Sequence, residues 1–326
     1  MIVVLLPLRR YSAAFGAAYA NKGAKKGAPG VKDAPRLRRE YGDCFFRFTL
    51  VGDLPKAARR GAELGARAFR WKRAADKIHL LVPLDASRLP YSAPRRNVKV
   101  LKMLGHRLFP WAERLLWADA KLRIGEHDPR AYFRETVEAP AAGAGVCAAF
   151  VGLPLHRHAY GDGAVDAPSL ARHAETILGA RARGRPDVTD SEDALRAQVR
   201  AYAREGGAAA EPERSRALVD SAYLAFDRRD ERCRRFHAAL GCAWFDEIHC
   251  FSDRDQLSFP VALAKLGVRA RGDAAAEPYV PGRTSRLLSD ARGRPTAYIV
   301  APGTKPGQKG AMHWYYSKAV ALWGSG

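Results

Sequence analysis

The stretch Arg95-Arg96-Asn97-Val98-Lys99-Val100-Leu101-Lys102-Met103-Leu104-Gly105-His106-Arg107-Leu108-Phe109-Pro110 leads into Leu115-Leu116-Trp117-Ala118-Asp119-Ala120-Lys121. It reads as a basic amphipathic helix feeding an apolar strand. Val98, Leu101, Met103, Leu104 and Leu108 fit one apolar face of a helix over 98–109. Lys99, Lys102 and His106 recur at three- and four-residue steps, so they share a second, cationic stripe. The strand over 115–119 ends at Asp119, at the edge where α/β sheets place their ligands. Cations on one element and a carboxylate on the next suit a metal-bound diphosphate.

Outward from this block, short apolar runs alternate with helical patterns. Further strands are expected at 2–6, 44–51, 78–82, 146–151, 222–226 and 296–300. Helices are expected at 54–68, 129–137, 168–178, 191–205, 230–240 and 260–266. Asp190 is placed to N-cap a helix that Gly206 ends, Pro168 sits in a first turn, and Gly267 follows the last helix. The alternation predicts an α/β layer architecture. Residues 11–37 are Gly-, Ala- and Lys-rich and read as a mobile basic loop; residues 269–310 read as mostly loop. No internal repeat or interdomain linker is evident, so 1–326 reads as a single domain.

A chain of 326 residues, 47% hydrophobic and 10% aromatic, can bury a sizeable core. Its net charge of +21 suits an anionic partner, although Ala, Arg and Gly also dominate loop stretches such as 179–184, as nucleotide-composition bias would produce. A merely solvated basic surface stays open. The five cysteines (Cys44, Cys147, Cys233, Cys242, Cys250) include no CxxC pair, which argues against a zinc site. Buried free thiols are the simplest reading; one or two disulfides are the alternative, with Cys233, Cys242 and Cys250 close enough in sequence to permit a local bridge. No segment approaches the roughly 20 apolar residues that span a bilayer. Residues 1–8 are too short for a signal h-region and read as a first core strand.

Three constellations carry candidate chemistry. Asp119 is a strand-end carboxylate fit to anchor Mn2+ or Mg2+, whose other ligands would be waters and substrate phosphates. Two residues on stands Lys121, which would neutralise diphosphate charge directly; the plain alternative is an Asp that caps the strand-to-loop turn. The second is Phe251-Ser252-Asp253-Arg254-Asp255-Gln256-Leu257-Ser258-Phe259. Asp255 and Gln256 are fit to hold sugar hydroxyls, and Arg254 to pair with a carboxylate or phosphate. Ser252 with Asp255 also fits a capping box. Pro260 disfavours helical geometry at Phe259, which favours a structured loop. The third is His313-Trp314-Tyr315-Tyr316-Ser317-Lys318, offering an imidazole metal ligand and a cation, or a C-terminal aromatic helix. His156 and His158 read as exposed loop residues. No GxxxxGK[ST] loop, GxGxxG fingerprint, GxSxG elbow or HExxH pair occurs.

The run from Tyr91 through Lys102, the His106-Arg107-Leu108-Phe109-Pro110 turn and Trp117-Ala118-Asp119-Ala120-Lys121 together resemble the core block of the plant turgor-regulation-defect and mucilage-related, glycosyltransferase-like family. Ser252 to Phe259 is similar to that family's S-R-D-Q-L-S-F segment, with Asp253 inserted before the Arg. Gln198 and Tyr202 resemble a Q-x-x-x-Y helix between the two. The resemblance covers about 41–266. It implies a GT-A-like nucleotide-diphospho-sugar transferase fold with a single Rossmann-like mixed sheet. It further implies Asp119 as metal ligand with His313 as a second, and Arg96, Asn97, Lys99, Lys102 and Lys121 facing the nucleotide diphosphate. Arg254, Asp255 and Gln256 would lie at the sugar.

The function so implied is metal-assisted transfer of a sugar from a nucleotide-sugar donor to a glycan or polysaccharide acceptor, with no specific nucleic-acid partner. Family members are Golgi proteins held by an N-terminal anchor; this chain shows no such segment, so a cytoplasmic location also stays open. The alternatives are a lipid-amide (ceramide) hydrolase, and a non-catalytic binder of anionic glycan or nucleic acid whose affinity would fall steeply with salt.

Overall fold

In a computed structural model of the chain, the structure describes residues 2–7, 43–50, 69–74, 77–84, 89–118, 137, 145–152, 169–184, 191–215, 217–270 and 286–300. Among the described residues ten strands, β1 (Ile2–Pro7), β2 (Asp43–Leu50), β3 (Phe69–Ala74), β4 (Lys77–Leu84), β5 (Arg114–Ala118), β6 (Ala148–Gly152), β7 (Val219–Asp227), β8 (Arg269–Ala270), β9 (Arg286–Ser289) and β10 (Pro295–Val300), form one sheet. Their order is β3-β4-β2-β1-β5-β7-β6-β10-β9-β8. The run β4-β2-β1-β5 is parallel, β7 lies antiparallel between β5 and β6, and β10 is parallel to β6. This is a mixed α/β sheet, as the alternating pattern implies. Parallel β1, β2, β4 and β5 bring their C-terminal ends to one edge.

Six helices are described: α1 (Pro94–Met103), α2 (Gly105–Leu108), α3 (Leu170–Ala182), α4 (Glu192–Ser215), α5 (Glu231–Cys250) and α6 (Asp255–Lys265). The core lies between the central strands and α1, α5 and α6. Trp117 of β5, Phe150 of β6, Phe226 of β7, Trp244 of α5 and Phe259 of α6 are all buried in it. Phe259 stands edge-on to both Phe150 and Trp244, with ring centroids 4.7 Å apart in each pair.

Several local expectations are corrected. The helix expected over 98–109 is two helices, broken at Leu104. His106 therefore leaves the lysine stripe: it turns onto α5, where a Cβ on Gly241 would lie 2.4 Å from the Met103 carbonyl and 2.8 Å from the His106 ring. Leu108 leaves the apolar face and is exposed. Gly206 does not end α4, which continues to Ser215. The loop-rich C-terminal region contains the β9–β10 antiparallel pair and β8.

The most instructive correction is α6. Pro260 lies inside it, where the expected break does not occur. An internal proline costs about 3 kcal/mol. Burying one large apolar side chain yields about 1.5–3 kcal/mol. Leu257, Phe259, Val261 and Leu263 are all buried, so packing outweighs the proline. The helix closes as read, on Gly267 at φ 66°, with the Gly267 and Val268 amides donating to Ala264 and Leu263 carbonyls.

The cysteines also depart from expectation. Cys147, ahead of β6, is bonded to Cys233 in the first turn of α5, across 86 residues. It is one disulfide, within the one or two that the sequence allows, but long-range and not local; Cys242 and Cys250 are free.

Candidate functional site

The helix α1 starts against its own electrostatics. Arg95 and Arg96 occupy its first turn, where the helix dipole disfavours cations, and Ala93 provides no side-chain cap. Other contacts hold this end. Pro94 presets the first turn. The Asn97 amide clamps the Tyr91 backbone, accepting from its N–H at 3.0 Å and donating to its carbonyl at 2.6 Å. Arg96 donates to the Phe251 carbonyl at 2.5 Å and lies over the Tyr91 ring, and Arg95 pairs with Asp253 at 3.6 Å. The Arg-Arg-Asn start of α1 is thereby fastened to the loop that precedes α6.

One turn further, the two motifs fuse. Asp255, the first residue of α6, is 3% exposed. Its Oδ2 accepts from Lys102 Nζ at 2.6 Å and Ser221 Oγ at 2.7 Å, and lies 2.7 Å from Lys99 Nζ. Trp244 Nε1 donates to the Asp255 carbonyl and to Ser258 Oγ, both at 3.0 Å. Burial pushes the Asp255 carboxyl upward, but the two ammonium groups overcome this and hold it well below the usual carboxylate range. Lys102 also lies 5.7 Å from the Trp117 ring centroid, one residue short of the end of β5. The cationic stripe, the S-D-R-D-Q segment and the end of β5 thus meet at one place.

The capping box that Ser252 and Asp255 fit in the sequence does not form. Instead Ser252 Oγ accepts from the Arg254 amide at 3.2 Å. The Asp255 carboxylate is an internal anchor between α1, β7 and α6. Gln256, beside it, has Oε1 3.3 Å from Nε2 of buried His173 on α3. Arg254 is buried at the N-terminus of α6. Asp119, Lys121, His156, His158, His313 and Lys318 lie outside the described residues, as does the 11–37 loop. Among the described residues no group of three His, Cys, Asp or Glu side chains is arranged to hold a metal. The Asp255 Oδ2 is engaged by two ammonium groups and a hydroxyl, a setting that does not suit a metal ligand.

Two structural roles were invisible in the sequence. Arg228, just after β7, is buried and donates to the carbonyls of Phe109 (2.8 Å), Ala112 (3.0 Å) and Pro110 (3.4 Å). The H-R-L-F-P turn is therefore held through its backbone. His237 on α5 stacks on Phe226 with centroids 3.8 Å apart and stands edge-on to His106, and neither of its ring nitrogens has a hydrogen-bond partner. Burial, then the nearby Arg228 charge, drives its pKa well below the ordinary histidine value.

No curated relative matches the sequence. Among solved structures, mouse xyloside xylosyltransferase 1 in its apo form aligns over 82% of this chain and 80% of its own, at 11% identity and a TM-score of 0.35, too low to establish a shared fold. Residues 76–137, which run from β4 through α1 and α2 past the end of β5, match the TOD1/MUCI70, glycosyltransferase-like domain, the family whose motifs the sequence resembles.

Proposed function

We propose that the protein is a glycosyltransferase that moves a sugar from a nucleotide-sugar donor to a glycan or polysaccharide acceptor. The observation that carries this reading is the joining of Lys99 and Lys102, inside the family-matched segment, to Asp255 of the second motif, beside the C-terminal end of β5. That edge is where open α/β sheets bind ligands. A site of this kind stabilises negative charge developing on a departing diphosphate through fixed, preorganised cations. Lys99, less buried than Lys102, is the better placed of the two to reach a phosphate. Asp255 serves as the strut that fixes both lysines and the start of α6, which leaves Gln256 and Arg254 as the residues proposed to face the sugar.

Mn2+ or Mg2+ is proposed at Asp119, with His313 as a further ligand, and Lys121 at the diphosphate. The disulfide Cys147–Cys233 supports folding in an oxidising compartment such as the secretory route, in keeping with the Golgi location implied by the family. No described helix is long and apolar enough to cross a membrane.

Isothermal titration with UDP and with GDP, each with and without Mn2+, tests the proposal. Saturable binding of one nucleotide, weakened in Lys99→Ala, is the expected result. A folded wild-type sample that binds neither nucleotide refutes it.

A further inference from the structure

The loop that leads into α6 is tied to the rest of the protein by one unbroken run of hydrogen bonds. Glu247 of α5, 3% exposed, is its terminus. Lys265 donates to Glu247 Oε1 at 2.6 Å. The Tyr202 hydroxyl of α4 donates to Oε2 at 2.7 Å. Gln198 Nε2 donates to the Tyr202 oxygen at 2.8 Å, Ser252 Oγ donates to Gln198 Oε1 at 2.5 Å, and the Arg254 amide donates to Ser252 Oγ at 3.2 Å.

The direction of the whole run follows from its end. A carboxylate paired with an ammonium group only accepts, so Tyr202 must donate to it. The phenol oxygen then has lone pairs alone to offer, which turns the Gln198 NH2 towards it. Its carbonyl oxygen is left to face Ser252, whose hydroxyl must donate. The Ser252 lone pairs are thereby presented to the Arg254 amide at the first turn of α6. Each link fixes the polarity of the next, and buried networks of this kind act as units.

We infer that Tyr202 is a positioning residue: through Gln198 and Ser252 it holds Arg254 and Gln256 in the orientation that reads the donor sugar, with Glu247 setting the sense of the chain. This rests on the donor-sugar reading above. It gives the Q-x-x-x-Y pattern on α4 a definite task, since Gln198 and Tyr202 are the i and i+4 members that meet on one helix face. The Tyr202 ring also packs edge-on to Phe251 with centroids 5.4 Å apart, which anchors the same loop from its apolar side.

The test uses the full chain in two arms. The first is backbone amide exchange of the ligand-free protein. Tyr202→Phe keeps the ring and removes the hydroxyl, and exchange across 252–256 should quicken by about tenfold, the equivalent of one lost hydrogen bond, with β5 unchanged. Ser252→Ala cuts the same run nearer its end. The double variant should lose no more protection than the larger single effect, because either cut interrupts one path. The second arm compares UDP with UDP-glucose, UDP-galactose and UDP-xylose. Tyr202→Phe should leave UDP affinity unchanged and remove the added affinity conferred by the sugar, again by about tenfold.

Unchanged exchange at 252–256 in both single variants overturns the inference. So does an equal weakening of UDP and UDP-sugar, which would mark a merely structural role. The exchange arm needs no ligand, so a wild-type protein that binds no nucleotide refutes the donor reading while the exchange result still decides the chain.

Discussion

Replacing Asp255 by Asn keeps the shape of the side chain and removes the charge that Lys99 and Lys102 share. Lys99, with its side chain 11% exposed, can turn its head towards solvent; Lys102, at 1%, cannot. The cost therefore falls on Lys102, an ammonium group left without its buried carboxylate. Breaking a buried ion pair by removing one partner costs about 3–5 kcal/mol. The Ser221 hydroxyl can still donate to the amide oxygen, which keeps the loss towards the lower end. With a urea m-value of about 2–3 kcal/mol per M, the midpoint should fall by about 1–2 M. The companion variant Lys102→Met in the Asp255→Asn background removes the stranded charge and should recover most of the stability. Equilibrium urea unfolding of the wild type, both single variants and the double variant at neutral pH measures all four corners of this cycle. A loss below about 1 kcal/mol in Asp255→Asn, or a double variant no more stable than the single, would refute the assignment of Asp255 as the anchor of the two motifs.

Other consequences are equally open to measurement. Burial depresses the His237 and His106 pKa values, so the unfolded chain takes up protons first: stability is complete above about pH 6.5 and declines as pH falls below it, by up to about 1.4 kcal/mol per pH unit for each ring. His237→Phe should flatten that slope in thermal melts between pH 7 and 5, and an unchanged slope would count against it. Gly241→Ala gains about 1 kcal/mol of helix propensity but meets the Met103 carbonyl at 2.4 Å, so a net loss of about 1–2 kcal/mol is expected in urea unfolding. Reduction of Cys147–Cys233, or its replacement by a serine pair, releases an 86-residue loop and should cost about 4–5 kcal/mol, seen as a lower melting temperature in dithiothreitol.

The sequence by itself determined the alternation of apolar strands with helices, and hence the mixed α/β sheet, because burial of one face leaves a periodic trace in the chain. It also determined that α6 would close at Gly267, since only a glycine relaxes readily into φ 66° after a helix. The order of the motifs was legible for the same local reason. What tertiary structure alone decided is which groups meet. Nothing in the local sequence around Asp255 tells that its carboxylate meets Lys102 across 153 residues, a second lysine, Lys99, and a serine across 34. The proline in α6 looked like a break because propensity is local, whereas the packing of Leu257, Phe259, Val261 and Leu263 that overrides it is not. The Arg228 clamp on the H-R-L-F-P turn spans up to 119 residues and the disulfide 86. Periodicity reports the face a residue occupies; the partner on that face, which sets charge state and role, is fixed only when distant elements pack together.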